Sequence, residues 1–433
     1  MPSVTFITHG TRGDVEPLLA QALNLHDAGY KARIAGPMDF KSWVVGYGID
    51  YVVLGNSPVR DMLHSAEVQG LIGYNPFKIW RAMKHFKSQF REIIVDGLSA
   101  LSGDTDLIVA HASLAAASDV ASAFNVPLIL LSPVPFVPTS KHPNILIPFS
   151  LGPFNSMSHW PLRFVRLIFP SFYRELRQRL GLPRTSIFTR PFQSEGGDAP
   201  VLHMYSPALL ARPDDWRPNA EVIGYCFLDH EGESWQPSAD LQRFLGAGPP
   251  PIYIGFGSMV PQDPVELSRL VTEAVQIAGV RAIIGAGWAA LSVEAPLNNP
   301  DVTGQAIKES DETDKIFVLD SAPHHKLFPL CQAVVHHGGA GTTAAGLRAG
   351  KPSLICPFGF DQPFWGRIIH KNQLGPKPIA LKELTASKLA AALIELTSDQ
   401  DYMENAGHLA EKIALDRPKE RFLALVEEKI GRP

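Results

Sequence analysis

Short apolar runs alternate along this chain with longer stretches whose apolar positions recur every three to four residues. Residues 4–8 form the first run. Over residues 16–28, Leu18, Leu19, Ala22, Leu23 and Leu25 fall at helical spacing, and residues 31–35 return as a run, which makes a βαβ unit. The pattern predicts further strands over 106–110 and 127–131, with an Ala-rich helix over 114–124 that ends before Asn125. The alternation restarts at 252–255 and continues through a helix over 264–278 and strands over 281–285, 316–319, 333–336 and 353–356. Strands alternating with helices imply a mostly parallel sheet covered on both faces, so the fold class is α/β with two doubly wound domains. We place them at 1–225 and 240–415. The polar, aperiodic residues 226–239 form the linker, Gly/Pro-rich 246–251 follows it, and residues 416–433 carry a last helix outside the second alternation.

Composition narrows the class without choosing a function. At 433 residues the chain is too long for one core and suggests roughly two or three domains. With 45% hydrophobic residues, 19% charged and a net charge of −4, nothing pulls it toward nucleic acid or an acidic membrane. Cys226, Cys331 and Cys356 are scattered and form no metal-spaced pair, so buried thiols in a reducing cytoplasm are expected. The first run enters a glycine loop directly, as a first strand does and a signal peptide does not. No stretch of about 18 uninterrupted apolar residues occurs, so no membrane span is expected and any membrane contact is at most peripheral.

The chemistry concentrates in residues 334–362. A strand leads into a turn containing Gly338, Gly339 and Gly341, a helix opened by Thr342 and Thr343 follows, and a second strand ends near Cys356. Glycines let backbone N–H groups approach a bulky anion, and the positive end of the helix dipole favours negative charge there. His337, at the strand end, can donate a hydrogen bond to a phosphate oxygen. The carboxylate and amide of Asp361 and Gln362 can bind vicinal hydroxyls. The ligand this suits is a nucleotide with a sugar on its diphosphate. Open α/β sheets bind ligands beyond the carboxyl ends of their strands, which also brings forward the loops at 8–14 and at Gly257 and Ser258.

With these residues in view, HHGGAGTTAAGLRAGKP followed by PFGFDQPFWG resembles the donor-binding signature of nucleotide-sugar-dependent glycosyltransferases of the GT-B fold, nearest to the sterol and antibiotic-aglycone branches. THGTRGDVEPLLA at 8–20 and IYIGFGSM at 252–259 resemble further motifs of the family, so the likeness covers most of the chain. It implies two Rossmann-like domains facing across a cleft, with acceptor and donor on opposite sides and the last helix crossing back onto the first domain. It also implies an inverting transfer of a hexose, glucose from a uridine diphosphate donor leading, onto an apolar acceptor such as a sterol, steroid, polyketide or flavonoid. Asp14 lies where plant members carry a histidine base, and the likeness gives it that role.

Two readings of Asp14 stand side by side. Asp followed by Val-Glu-Pro is also a good start to a helix, and a helix N-terminus favours the charged carboxylate that a base must surrender. His9 is the rival base or a partner of Asp14, since imidazole titrates near neutrality. Asp119 is a weaker candidate to orient a base and reads better as facing solvent. His337, Ser258 and the amides around Gly339, Gly341 and Thr342 would carry the leaving diphosphate, so no metal or cofactor is called for. Asp104 and Asp106 match a DxD pattern, but at the amino end of a strand, where a surface turn is the better reading.

The chain departs from plant members at Ser321, where they carry a tryptophan, and at Ala345, where they carry a glutamate, so Ser321 and His324 become the candidates for the nucleoside. Gly287 and Trp288 match another family feature; His336 is read as packing. On the acceptor side we place Gly13, Pro135 and Phe136, the last two in the apolar, proline-rich stretch 126–148. Residues 159–182 mix aromatics with arginines and suit a lid helix, a packed surface helix or a membrane-surface helix. Residues 293–315 read as an exposed loop. Two other functions remain open: an epimerase or hydrolase acting on the nucleotide sugar alone, and a binding protein in which Asp14 is only a cap.

Overall fold

A computed structural model describes residues 1–59, 85–147, 149–167, 169–184, 193–194, 197–229, 235–257, 263–286 and 315–433, with backbone alone for 161–167 and 193–194. Ser258, Gly287, Trp288 and nearly all of 293–315 lie outside these residues. Two compact units are present: Met1–Asp229 with Leu415–Pro433, and His230–Ala414.

The first unit is built on a seven-stranded parallel sheet: β1 (Ser3–Ile7), β2 (Lys31–Gly36), β3 (Asp50–Val53), β4 (Leu107–His111), β5 (Leu128–Ser132), β6 (Val201–His203) and β7 (Ala220–Val222), in the order β3-β2-β1-β4-β5-β6-β7. β4 and β5 are buried along their whole length, as a strand covered on both faces must be. Helix α1 (Arg12–Asp27) follows β1, and its Leu18, Leu19, Ala22 and Leu25 enter the core with Phe6 and Ile34. Helix α2 (Ala117–Phe124) starts three residues later than the pattern predicts and stops where Asn125 turns left-handed at φ 53°. The last helix, Pro418–Ile430, seats Phe422 and Val426 in this same core, burial that contributes about 1.5–3 kcal/mol for each side chain. Tyr30 Oη donates to the Gly431 carbonyl (2.8 Å) and the Arg421 guanidinium to the Val222 carbonyl (3.0 Å), which fixes both its ends.

The second unit carries a five-stranded parallel sheet: β8 (Ile252–Gly255), β9 (Ala282–Gly285), β10 (Ile316–Leu319), β11 (Ala333–His336) and β12 (Ser353–Ile355), ordered β10-β9-β8-β11-β12. Helix α3 (Pro264–Ala278) shows how local sequence sets its bounds. The Asp263 carboxylate caps the Glu266 N–H (2.9 Å), Pro264 takes the first turn, and Gly279 ends it at φ 68°. In both sheets the strand order reverses beside the first strand. The loops leaving β1 and β4, and those leaving β8 and β11, therefore flank a switch point where a ligand can enter.

Two expectations need correction. Residues 159–182 are not one helix: a 3₁₀ element runs over Gly152–Leu167, and a separate α-helix occupies Pro170–Arg179, packed through Phe172, Tyr173 and Leu176. Asp119 does not face solvent. It is buried and held by the Arg177 guanidinium at 2.5 Å. Asp104 does sit on the surface ahead of β4, paired with Arg33 at 2.7 Å, while Asp106 takes the Ser3 N–H.

Candidate functional site

At the switch point of the first unit, His9, Ser113 and His111 form a hydrogen-bonded line, and Asp14 stands at its far end. Gly10, at φ 94°, leaves the space that the Asp14 carboxylate fills; a Cβ there would lie 2.4 Å from Oδ2. Asp14 is not the N-cap: Thr11 holds that position, the helix opens at Arg12, and Asp14, its third residue, reaches back so that Oδ2 accepts the Thr11 N–H at 2.7 Å. Its Oδ1 lies 3.4 Å from His111 Nε2. His111 Nδ1 meets Ser113 Oγ at 2.5 Å, and Ser113 Oγ meets His9 Nε2 at 2.7 Å. His111 Nε2 has no hydrogen-bond partner among the described residues and faces Asp14, while the Ser113 hydroxyl bridges the two imidazoles in a direction set by their tautomers. Burial lowers the pKa of both imidazoles against a partial upward pull from Asp14, and His111 falls to about 4. Both are neutral near pH 7.

His111 and Ser113 were missed in the sequence. The signal was present, since a histidine closing the strand predicted at 106–110 must lie beside the loop leaving β1 once β1 and β4 pair. Gly13 sits in the first turn of α1. Pro135 is buried, and Phe136 is half-buried with its N–H donated to His203 Nε2 at 3.2 Å.

In the second unit, β8 and β11 pair with Gly255 opposite His336, so the turns at Gly257 and at 337–341 emerge side by side. Gly257, at φ 60°, leaves room for the His337 ring, and a Cβ on Gly339 would lie 2.4 Å from His337 Nε2. Neither His337 ring nitrogen has a hydrogen-bond partner among the described residues, and Nδ1 is buried. Apolar surroundings lower its pKa to about 4, so it offers a neutral N–H. The next helix, α4 (Ala340–Arg348), begins two residues before the expected Thr342, with Gly339 as its cap. That leaves the amides of Ala340, Gly341 and Thr342 without acceptors inside the helix, beside the imidazole. Buried His336 does more than pack: its Nδ1 accepts the Gly338 N–H (3.1 Å) and fixes this turn.

The glycosyltransferase family 28 N-terminal domain description matches residues 4–130, and the erythromycin biosynthesis protein CIII-like C-terminal domain description matches residues 305–427. The sequence is 33% identical over 407 residues to sterol 3-beta-glucosyltransferase UGT80A2 of Arabidopsis thaliana, covering 92% of this chain and 61% of that protein. The structure is similar to the glycotransferase of kitacinnamycin (TM-score 0.69, 16% identity, covering 99% of this chain and 100% of that one). It is also similar to glycosyltransferase VinC in complex with dTDP (TM-score 0.65, 18% identity, 100% of both chains). The chain belongs to the GT-B glycosyltransferase family.

The remaining candidates of this GT-B protein lie on the carboxyl edge of the second sheet. Ser321 is exposed in the loop after β10, and His324 stacks on Phe328 at 4.4 Å with its edge toward Tyr253. Asp361 stands at the N-cap position of the helix Gln362–Lys371, with no capping hydrogen bond from its side chain. Gln362 is buried, and its Oε1 accepts the N–H groups of Phe358 (2.7 Å) and Gly359 (3.2 Å). That oxygen therefore holds the loop in which Phe360 takes a left-handed φ of 57°, and the amide nitrogen is what remains for a ligand. Among the described residues, no three His, Cys, Asp or Glu side chains are arranged to hold a metal, and no helix is long and apolar enough to cross a membrane. All three cysteines are buried thiols.

Proposed function

We propose that this protein transfers a hexose from a nucleoside diphosphate sugar to the hydroxyl of an apolar acceptor, with uridine diphosphate glucose as leading donor and sterols or steroid-like alcohols as leading acceptors. The observation that carries this is the 33% identity to a sterol 3-beta-glucosyltransferase across 92% of the chain. It is joined by an unpartnered, neutral imidazole beside a helix N-terminus, a setting that suits a leaving diphosphate. VinC, solved with dTDP, keeps thymidine donors in view.

In the proposed reaction the acceptor oxygen forms a bond to the anomeric carbon while the bond from that carbon to the diphosphate oxygen breaks. One displacement inverts the anomeric centre. The acceptor proton passes to Asp14, and His337 with the amides of Ala340, Gly341 and Thr342 takes the developing charge, without a metal. Asp361 and the Gln362 amide bind the sugar, and Ser321 and His324 the nucleoside. A second reading, favoured by the line from His9 through Ser113 and His111 to Asp14, makes His9 the proton acceptor and Asp14 the distant counter-charge.

The test is mass spectrometry of the purified protein with uridine or thymidine diphosphate glucose and a panel of sterols, steroids and flavonoids, beside a donor-only control. A gain of one hexose on an acceptor is the expected result. Donor consumed in the control without acceptor product would replace this reading with a hydrolase or epimerase.

A further inference from the structure

Residues 144–160 are folded inside out. Within the 3₁₀ element, residues three apart lie one above the other. Phe154, Met157 and Trp160 share one such edge and are 60–64% exposed, whereas Asn155 and Ser158 share the next edge and are 4–5% exposed. The buried polar side chains hold the segment's own backbone. Asn155 Oδ1 accepts the Leu151 N–H (2.8 Å), Asn155 Nδ2 donates to the Ser140 carbonyl (3.2 Å), and Ser158 Oγ accepts the Asn144 N–H (2.7 Å). Leu146 and Phe149, just ahead of this element in the chain, are exposed as well. Water-soluble segments bury their large apolar groups, and scattered exceptions need no explanation; an apolar row along one edge with polar side chains turned inward on the next does.

We propose that this face docks on an anionic lipid bilayer. The inverted polarity demands an apolar medium, and Trp160 with Phe154 has the amphipathic character of side chains that settle at a membrane interface. Charge agrees: residues 141–184 hold seven Lys and Arg against one acidic residue, Glu175, in a chain whose net charge is −4. Part of that charge is engaged, by Asp214 on Lys141, Asp119 on Arg177 and Asp96 on Arg179. Even so, the positive excess lies in the same stretch of chain as the apolar face. The docking argument stands on the surface itself. Its consequence, that an apolar alcohol is taken directly from the bilayer, rests on the proposed transferase activity.

The experiment is flotation of the full chain with phosphatidylcholine vesicles, with and without phosphatidylglycerol, at low and high salt. The wild type should float with the anionic vesicles and less so in salt. Phe154→Ser with Met157→Ser should lower partitioning on the order of tenfold or more, with circular dichroism and the unfolding midpoint unchanged. Leu415→Ser, which removes a still more exposed apolar side chain elsewhere, should bind as the wild type does. Sterol glucosylation is then compared from vesicles and from a soluble cyclodextrin carrier, and only the vesicle rate should fall in the double variant. No flotation of the wild type, or flotation of the double variant equal to it, overturns the inference. An equal loss of rate from both carriers also overturns it, by making the face part of an acceptor pocket. Wild type that floats but glucosylates sterol from neither carrier would instead count against the transferase reading, with the docking inference upheld by flotation.

Discussion

The two oxygens of Asp14 face different partners: Oδ2 accepts the Thr11 N–H at 2.7 Å, and Oδ1 lies 3.4 Å from His111 Nε2. The capping-box bond thus engages one oxygen of the carboxylate and leaves Oδ1 for the proposed proton transfer, so the two do not compete.

That division predicts how two substitutions separate. Asp14→Asn keeps an oxygen for the Thr11 N–H and should leave stability within a few tenths of a kcal/mol, yet lower turnover roughly 100- to 10,000-fold with donor affinity retained. Asp14→Ala should lose turnover similarly and also about 0.5–2 kcal/mol of stability. Turnover and thermal unfolding of both variants decide the matter. Full activity in the Asn variant would reduce Asp14 to a cap.

Ser113 is the single hydroxyl between His111 and His9, at 2.5 and 2.7 Å. Ser113→Ala should lower kcat roughly tenfold, the worth of one hydrogen bond, and should shift the acid limb of the kcat/KM profile, because the two imidazoles then titrate apart. A packing role alone would lower activity, if at all, with the profile unmoved.

His337 should act on the donor. Replacing it with Ala removes the neutral N–H beside the α4 N-terminus, and the affinity for nucleoside diphosphate should fall about 10- to 100-fold, the range for a hydrogen bond to a charged group. Gly339→Ala, whose Cβ would press on His337 Nε2 at 2.4 Å, should weaken the diphosphate in the same direction. Calorimetric titration with uridine diphosphate measures both. Unchanged affinity in His337→Ala would remove the imidazole from the donor site.

Much of this arrangement is legible along the chain because parallel sheets make it so. Buried strands β8 and β11, and the part-exposed edge strand β10, read as plain apolar runs with the same bounds in sequence and structure, and Asp263, Pro264 and Gly279 mark the ends of α3 outright. β3, β6 and β7 were not recognised. The last two are three residues long, too short for a period, and they follow an irregular segment. His111 escaped for a different reason: nothing local marks it, and only the pairing of β1 with β4 brings it to Asp14. The inverted face at 151–160 was also hidden, since a helical or strand period assumes that apolar side chains point inward.

The buried histidines give the first unit an acid limit. His203 shows why: its Nδ1 donates to the Glu221 carbonyl at 2.9 Å while its Nε2 accepts the Phe136 N–H at 3.2 Å, so only the neutral ring fits. Burial lowers its pKa to about 3, and those of His111 and His159 to about 4, from an ordinary 6.5 in the unfolded chain. Between the two values the unfolded chain binds more protons than the folded one, so stability rises with pH there. The contribution is complete above about pH 6.5 and is lost as pH falls toward 4, at up to about 1.4 kcal/mol per pH unit for each histidine. With three such rings in the first unit, hydrogen exchange followed by mass spectrometry should show β4, β5 and β6 losing protection steeply below about pH 6. A midpoint of unfolding independent of pH through that window would mean that these rings protonate without cost in the folded chain.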